Sequence, residues 1–142
     1  MKVLTKQRTI CEKIMSLVRF SHTQTPYKDL ANKIRHIYDI HLMLKDKEVA
    51  DFFKSEAFDQ MMIMVGTDDI QSFRNNNQWL KEHPKDAVIF SAPKETWELI
   101  KTPYRNTLRD LVTGELPEEK ALIYSLIKVA KRLNSLEWNV NS

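Results

Sequence analysis

The chain has 142 residues, of which 42% are hydrophobic and 29% are charged. This length suits one domain with one core, and the composition excludes an intrinsically disordered chain. The formal net charge of +3 permits contact with phosphates, but a solvated mixed-charge surface explains it as well. Only two glycines and five prolines occur, which favours long helices over strands joined by tight turns.

The cysteine content and the hydropathy pattern indicate the cellular compartment of the protein. Cys11 is the single cysteine, so no intrachain disulfide can form, as is usual in a reducing cytoplasm. It lies among apolar residues at helical spacing, which predicts a buried structural thiol rather than a nucleophile. No apolar run approaches about 18 residues, so we expect no membrane span. These features predict a cytoplasmic protein.

The first amphipathic stretch runs from about Gln7 to Phe20. Ile10, Ile14 and Leu17 recur at the spacing that places side chains on one face of an α-helix. We therefore expect this helix to bury that face against the rest of the chain.

A second helix is expected from Pro26 to about Lys45. Thr25 precedes it as the predicted N-cap, and proline suits the first helical position. His41 lies on the apolar face of this helix. A histidine there is more often a hydrogen-bonded core or boundary residue than a metal ligand.

The middle of the chain carries further helix signals. Asp46 is a predicted N-cap for a third, short helix, and Ser55 is the predicted N-cap of a fourth, which Gly66 is expected to end or bend. The pair Asp68 and Asp69 resembles a metal-binding pair. No other ligand lies at suitable spacing, so we interpret the two as a cap at the start of a helix.

The last third of the chain is also mainly helical in pattern. Residues 87–90 are the best strand candidate but have no partner strand, so a buried extended segment or a helix start remains open. Residues 94–112 are expected to be helical with a break at Pro103, and residues 117–136 form the final predicted helix. Trp138 is expected to fold back onto the bundle. The sequence thus predicts an all-α, irregular bundle of about five to seven helices in a single domain.

Polar residues of the first two predicted helices form the candidate site. Lys13 and Arg19 lie on the first, and Arg35, His36 and Asp39 lie on the second. Placing the two helices back to back would bring all five within reach of one another. Two interpretations stay open: an exposed ion pair that contributes ~0.5 kcal/mol or less, or a polar site held between two helices.

Several common catalytic motifs are absent from the sequence. It has no glycine-rich phosphate loop, no G-x-S-x-G elbow, no H-E-x-x-H and no Cys/His spacing for zinc. Nucleotide-dependent enzymes use carboxylates to hold Mg²⁺ against the phosphates. Asp39 has no convincing second carboxylate beside it, so we expect no metal site formed by this chain.

Two stretches of the candidate site resemble a known family. Residues 12–19, with the sequence EKIMSLVR, and residues 35–40, with the sequence RHIYDI, resemble the C-terminal half of AbiEii/AbiGii-type nucleotidyltransferase toxins. Residues 73–80 and 114–117 are similar to one bacterial branch of that family. The resemblance covers nearly the whole chain. It implies a polymerase-β-like nucleotidyltransferase domain followed by a helical portion, acting as a toxin in toxin–antitoxin and phage-defence systems.

The resemblance also implies roles for individual residues. Family members transfer nucleotides from a nucleoside triphosphate (NTP), with Mg²⁺, to an acceptor that is tRNA in some members. Lys13 matches a lysine expected to contact the nucleotide phosphates, and Asp39 matches a carboxylate of the following motif, so these two are the candidate catalytic residues. Arg19 and Arg35 match neighbouring basic positions, and His36 stands where many relatives have the first acid of that motif. We assign these three to substrate or phosphate binding.

The family's N-terminal G-S…D-x-D segment, which supplies the metal-binding carboxylates, is not found in the sequence. The resemblance therefore implies the helical back half of such a toxin, inactive by itself, with Mg²⁺ and NTP required by a complete member. Its expected partners are an N-terminal catalytic half or an antitoxin, with RNA as the acceptor. The alternative is a non-catalytic helical module that binds a protein partner, such as an antitoxin, or RNA.

Overall fold

A computed structural model describes residues 6–73, 78–102, 104 and 117–138. This part of the chain is helical and contains no β-strand, which confirms the all-α class. It holds eight α-helices: α1 (Lys6–Ser21), α2 (Pro26–Asn32), α3 (Ile34–Met43), α4 (Lys47–Phe53), α5 (Glu56–Ser72), α6 (Val88–Ser91), α7 (Pro93–Ile100) and α8 (Glu119–Asn134). Two 3₁₀ turns, Gln78–Lys81 and Pro84–Asp86, lie between α5 and α6.

Helix α1 occupies the centre of the bundle. It packs against α2, α3, α4, α5 and α6, because its apolar side chains cover a wide part of its circumference. Seven of its residues are buried: Ile10, Cys11, Ile14, Met15, Leu17, Val18 and Ser21. Burial raises the pKa of the Cys11 thiol to about 12, so it stays protonated at neutral pH and is a structural residue, as predicted.

The predicted second helix is divided at Lys33. This residue has φ −112° and ψ 21°, outside the helical range, and its N–H bonds to the Leu30 carbonyl at 2.9 Å in a tight turn. The break lets α2 pack against α1 and α7 while α3 packs against α1 and α8. It contains neither glycine nor proline, so the sequence gives no local signal for it. This division also raises the number of described helices above the predicted five to seven.

Of the three predicted N-caps Thr25, Asp46 and Ser55, only Asp46 accepts hydrogen bonds from the first turn of its helix. The Asp46 carboxylate accepts hydrogen bonds from the N–H groups of Glu48 and Val49 at the start of α4. Thr25 and Ser55 precede α2 and α5 as predicted but make no such bond. The Thr25 hydroxyl instead donates to the Asp29 carboxylate at 3.3 Å.

Helix α5 is longer than expected. It continues through Gly66, which is buried, and the prediction that Asp68 and Asp69 start a new helix is wrong, since both lie within α5. A glycine inside a helix costs about 1 kcal/mol relative to alanine. The packing of α5 along α1 offsets this cost.

Residues 87–90 are not a strand. Val88–Ser91 form the short helix α6, which packs against α1, α7 and α8. Of the interpretations left open by the sequence, the helix start is therefore correct. The apolar run reflects burial on several sides rather than an extended backbone, and Ile89 and Phe90 both lie in the core.

The end of the described chain returns to the bundle. Helix α8 packs against α3, α6 and α7, and Trp138 packs on the core as predicted, with its indole N–H donating to the Leu80 carbonyl at 2.7 Å. Pro103 and most of the predicted helix at 94–112 beyond Thr102 lie outside the described residues. None of the described helices is both long enough and apolar enough to cross a membrane.

Candidate functional site

Lys13 and Asp39 form an ion pair that joins α1 to α3. The Lys13 Nζ lies 3.1 Å from Asp39 Oδ2, and the two side chains are 23% and 25% exposed. Both face outward from well-packed helices, because their apolar neighbours Ile14 and Ile40 are fully buried. The pair is therefore held by the fold while remaining accessible to a ligand.

Arg35 and His36 lie beside this pair on the first turn of α3. Arg35 Nε is 4.0 Å from Asp39 Oδ2, and its side chain is 61% exposed. His36 is half-buried, and its Nδ1 has no hydrogen-bond partner among the described residues. Burial lowers the pKa of His36, with Lys13 and Lys33 lowering it further, so the imidazole is neutral at pH 7.

These residues line a cleft of about 430 Å³, which we call the basic cleft: Lys13, Asn32, Lys33, Arg35, His36 and Asp39. Lys33, which stands at the break between α2 and α3, was missed in the sequence. Asn32 was not selected, although its spacing from Arg35 and Asp39 places the three on one face of a continuous helix. A second lysine three residues before His36 was visible in the sequence, but a continuous helix would have given it no special place.

Arg19 lies outside the basic cleft. Its guanidinium carbon is 4.4 Å from the centre of the Phe20 ring and 4.6 Å from that of Phe73. Lys13 and Arg19 are six residues apart on α1, which turns the second side chain by roughly 120° from the first. The structure therefore brings Lys13, Arg35, His36 and Asp39 together and places Arg19 in a neighbouring cavity.

One further titratable group lies next to Arg19. Asp69, on α5, is partly buried, and this burial raises its pKa to about 6, although the charge of Arg19 acts to lower it. The two adjacent aspartates of α5 differ in their environment. Asp68 is exposed and accepts a hydrogen bond from the Arg8 guanidinium at 2.7 Å.

The charge of the basic cleft suits an anion. Three cations, Lys13, Lys33 and Arg35, face one carboxylate, Asp39. Lysine and arginine donors form their strongest hydrogen bonds with phosphate and carboxylate oxygens. The same residues do not suit Mg²⁺, which prefers several oxygen ligands. Within residues 6–73, 78–102 and 117–138, no group of three potential metal ligands is found.

Comparison with known proteins identifies a family. No curated protein and no solved structure matches the chain significantly. The family model described as "Nucleotidyl transferase AbiEii toxin, Type IV TA system" matches residues 1–128. This match includes the whole basic cleft and most of the chain. The chain therefore belongs to the AbiEii nucleotidyl transferase toxin family of type IV toxin–antitoxin systems.

Proposed function

We propose that this chain is the helical part of a nucleotidyltransferase toxin and that its basic cleft binds the phosphates of an NTP. The observation that carries the proposal is the 3.1 Å pair of Lys13 and Asp39 in a cleft with excess positive charge. Family membership supports a toxin role and implies an antitoxin as partner. Nucleotidyl transfer and a role in phage defence are part of the proposal.

Lys13 and Asp39 have complementary roles in this proposal. The Lys13 ammonium has three N–H donors, and one of them is directed at Asp39. The others are left to contact phosphoryl oxygens, where a lysine stabilises the negative charge that develops during transfer. Asp39 holds the ammonium in position. Lys33 and Arg35 add positive charge at the mouth of the cleft.

In this proposal, the carboxylates that bind the metal are not residues of the basic cleft. One carboxylate among three cations does not suit Mg²⁺, so we propose that a G-S…D-x-D segment of the family type supplies these carboxylates. Without that segment we expect the chain to bind NTP and to transfer nothing. An RNA acceptor, such as tRNA, and a cytoplasmic setting are further parts of this proposal.

Nucleotide labelling tests the proposal. The chain is mixed with radiolabelled NTPs, Mg²⁺ and small RNA, with and without a G-S…D-x-D segment from a complete family member. We expect labelling of the RNA only when the segment is present, and its loss in Lys13→Ala and Asp39→Ala. The matched controls are Lys28→Ala and Asp51→Ala, which remove exposed charges on α2 and α4 outside the basic cleft.

The rival function is a non-catalytic module that binds an antitoxin or RNA. Large exposed apolar side chains on two contacting helices favour it, namely Leu99 on α7 and Tyr124 on α8, which are 60% and 70% exposed. If labelling never appears with any segment while an antitoxin is bound, the transferase proposal is wrong. If Asp39→Ala changes stability slightly and nothing else, the pair is only a packing contact between helices.

The reading frame upstream of Met1 gives an independent test. Sequencing of the upstream DNA and mapping of the transcript start show whether an in-frame G-S…D-x-D segment is translated with this chain. Its presence would support an intact transferase toxin. A stop codon next to the transcript start would favour the binding function.

A further inference from the structure

A second cavity lies beside the basic cleft and takes no part in the proposed phosphate site. Its volume is about 540 Å³, and its walls include Arg19, Phe20, Gln24, Phe73 and Trp79. We call it the Arg19 pocket. Two of its aromatic side chains, Phe73 and Trp79, pack edge to face with ring centres 5.9 Å apart. The pocket therefore combines an aromatic wall with a guanidinium and a polar rim.

Arg19 is held in place by rings rather than by hydrogen bonds. The Phe20 and Phe73 rings lie 4.4 and 4.6 Å from its guanidinium carbon, which fixes its orientation through cation–π contacts. The Asp69 carboxyl lies close enough for the charge of Arg19 to act on its pKa. Among the residues that the structure describes, however, no hydrogen bond or ion pair joins the guanidinium to an acceptor. A half-buried guanidinium in this state is a ready donor for a ligand.

The Arg19 pocket adjoins the basic cleft through Phe20 and Lys33. Lys33 lines the basic cleft, and its Nζ lies 5.2 Å from the centre of the Phe20 ring, which lines the Arg19 pocket. Along α1, Lys13 and Arg19 are separated by six residues, or roughly 9 Å. An extended nucleotide has a phosphate end and a base end at a comparable separation.

We propose that the Arg19 pocket binds the base of the nucleotide whose phosphates lie in the basic cleft, with Arg19 as the residue that determines base specificity. This inference rests on the proposed function. The planar guanidinium fork forms two parallel hydrogen bonds with a base edge that carries two adjacent acceptors, as guanine and cytosine do. Along the edges of adenine and uracil, donors and acceptors alternate, so the guanidinium can bond to only one acceptor at a time.

The test is the affinity of the full chain for GTP, CTP, ATP, UTP and inorganic tripolyphosphate, measured by isothermal titration calorimetry. Tripolyphosphate reports on the basic cleft alone, because it has no base. For the wild type we expect GTP or CTP to bind about tenfold more tightly than ATP and UTP, the size of one bidentate contact. In Arg19→Lys, which keeps the charge and loses the fork, we expect this preference to disappear while tripolyphosphate binding is retained.

Two controls accompany the variant. Lys28→Ala removes an exposed positive charge of α2 that lines neither cavity, and it should retain the base preference. Circular dichroism verifies that Arg19→Lys is folded. If Arg19→Lys does not fold, the wild-type affinities still test the base preference itself, and equal affinities for the four nucleotides overturn the assignment.

The outcomes separate this inference from the proposed function. Tripolyphosphate binding that Lys13→Ala abolishes, without any base preference, would overturn the Arg19 assignment and leave the phosphate site standing. Equal losses of tripolyphosphate and NTP binding in Arg19→Lys would make Arg19 a phosphate ligand and also overturn it. A base preference that depends on Arg19, without tripolyphosphate binding, would support the pocket and contradict the phosphate cleft. Absence of all binding would contradict both.

Discussion

At the scale of single residues, the Lys13–Asp39 pair is expected to matter more for function than for stability. Each side chain is about a quarter exposed, and solvent-accessible ion pairs contribute about 0–1 kcal/mol. A double-mutant cycle with Lys13→Met and Asp39→Asn should therefore give a coupling energy of about 1 kcal/mol or less in urea unfolding. A coupling of several kcal/mol would identify the pair as a structural element and weaken its assignment to a site.

His41 is a buried histidine whose protonation state is expected to affect the stability of the protein. It is buried between α3 and α8, with Nδ1 2.8 Å from the Ser125 hydroxyl oxygen, which confirms the predicted hydrogen-bonded core histidine. Its Nε2 has no partner among the described residues. Burial lowers the pKa of His41 from its ordinary value of 6.5, and the charge of Lys45 lowers it further. The folded protein therefore favours the neutral imidazole.

This lowered pKa predicts a pH dependence of stability. Below pH 6.5 the unfolded chain binds a proton at His41 that the folded chain resists, so the free energy of unfolding falls as the pH decreases through this range. The variant His41→Asn keeps a polar group near Ser125 and cannot titrate, so its loss of stability between pH 7.5 and 5.5 should be smaller. Urea unfolding at several pH values measures this difference. Equal slopes for the two proteins would show that His41 does not contribute.

At the scale of elements, Arg132 on α8 ties together the end of α4 and the start of α5. Its Nε donates to the Phe53 carbonyl at 2.6 Å and its Nη2 to the Ser55 carbonyl at 3.0 Å. The same Nη2 lies 2.8 Å from Asp59 Oδ1, and the side chain is only 15% exposed. The Arg132 side chain thus satisfies the Phe53 carbonyl, which the end of the short helix α4 leaves without a partner, and gives the Ser55 carbonyl a second donor beside the N–H of Phe58.

Removing the Arg132 head group should therefore destabilise the protein. Arg132→Met keeps the aliphatic stem but leaves the Phe53 carbonyl without its donor and the partly buried Asp59 carboxylate without its cationic partner. We therefore expect a loss of about 3 kcal/mol in the free energy of unfolding. Chemical denaturation measures it. The adjacent exposed residue gives the control, since Lys131→Met should change stability by less than about 0.5 kcal/mol. A loss no larger than that of the control would mean that water replaces the guanidinium.

The sequence predicted the existence of most helices but not the joints between them. Periodic apolar residues located α1, α5 and α8, because burial of one face is encoded locally in each helix. The break at Lys33 has no local signal, since it results from α2 and α3 packing against different neighbours. The run at residues 87–90 was ambiguous for a related reason: an element buried on several sides shows no periodicity.

The candidate site was predictable from the sequence only in part. Spacing on α3 placed Arg35, His36 and Asp39 on one side, and the packing of α1 against α3 brought Lys13 to them. Arg19 is separated from Lys13 because the two side chains point in different directions around α1. Lys33 lines the basic cleft at the break between α2 and α3, which was not predicted. What the sequence did not contain was the relative arrangement of helices.

At the scale of the whole molecule, α1 links the core to both cavities. Its buried face packs on five other helices, Lys13 opens into the basic cleft, and Arg19 opens into the Arg19 pocket. A rigid central helix fixes the separation of these two side chains. This rigidity suits the proposed two-part nucleotide site, since groups held by packed helices lose little conformational entropy on binding.

Residues 136–138, the last that the structure describes, are attached to the middle of the chain by two hydrogen bonds. Trp138 Nε1 donates to the Leu80 carbonyl at 2.7 Å, and the Leu136 carbonyl lies 2.6 Å from Nε2 of His83. The other ring nitrogen of His83 accepts the N–H of Lys85 at 3.0 Å, so Nε2 carries the proton and donates. His83 is therefore a structural link between residues 136–138 and the 3₁₀ turn at Pro84–Asp86.

This attachment is expected to open without unfolding the bundle. Trp138→Phe keeps an aromatic ring but removes the bond to Leu80, which should cost about 1 kcal/mol locally. Because segments with few core contacts open independently of the core, hydrogen–deuterium exchange should become faster in peptides covering residues 78–86 and stay unchanged in those covering α1. Faster exchange throughout α1 would mean that residues 136–138 support the entire fold. Unchanged exchange in both regions would mean that the His83 link holds the segment without the tryptophan.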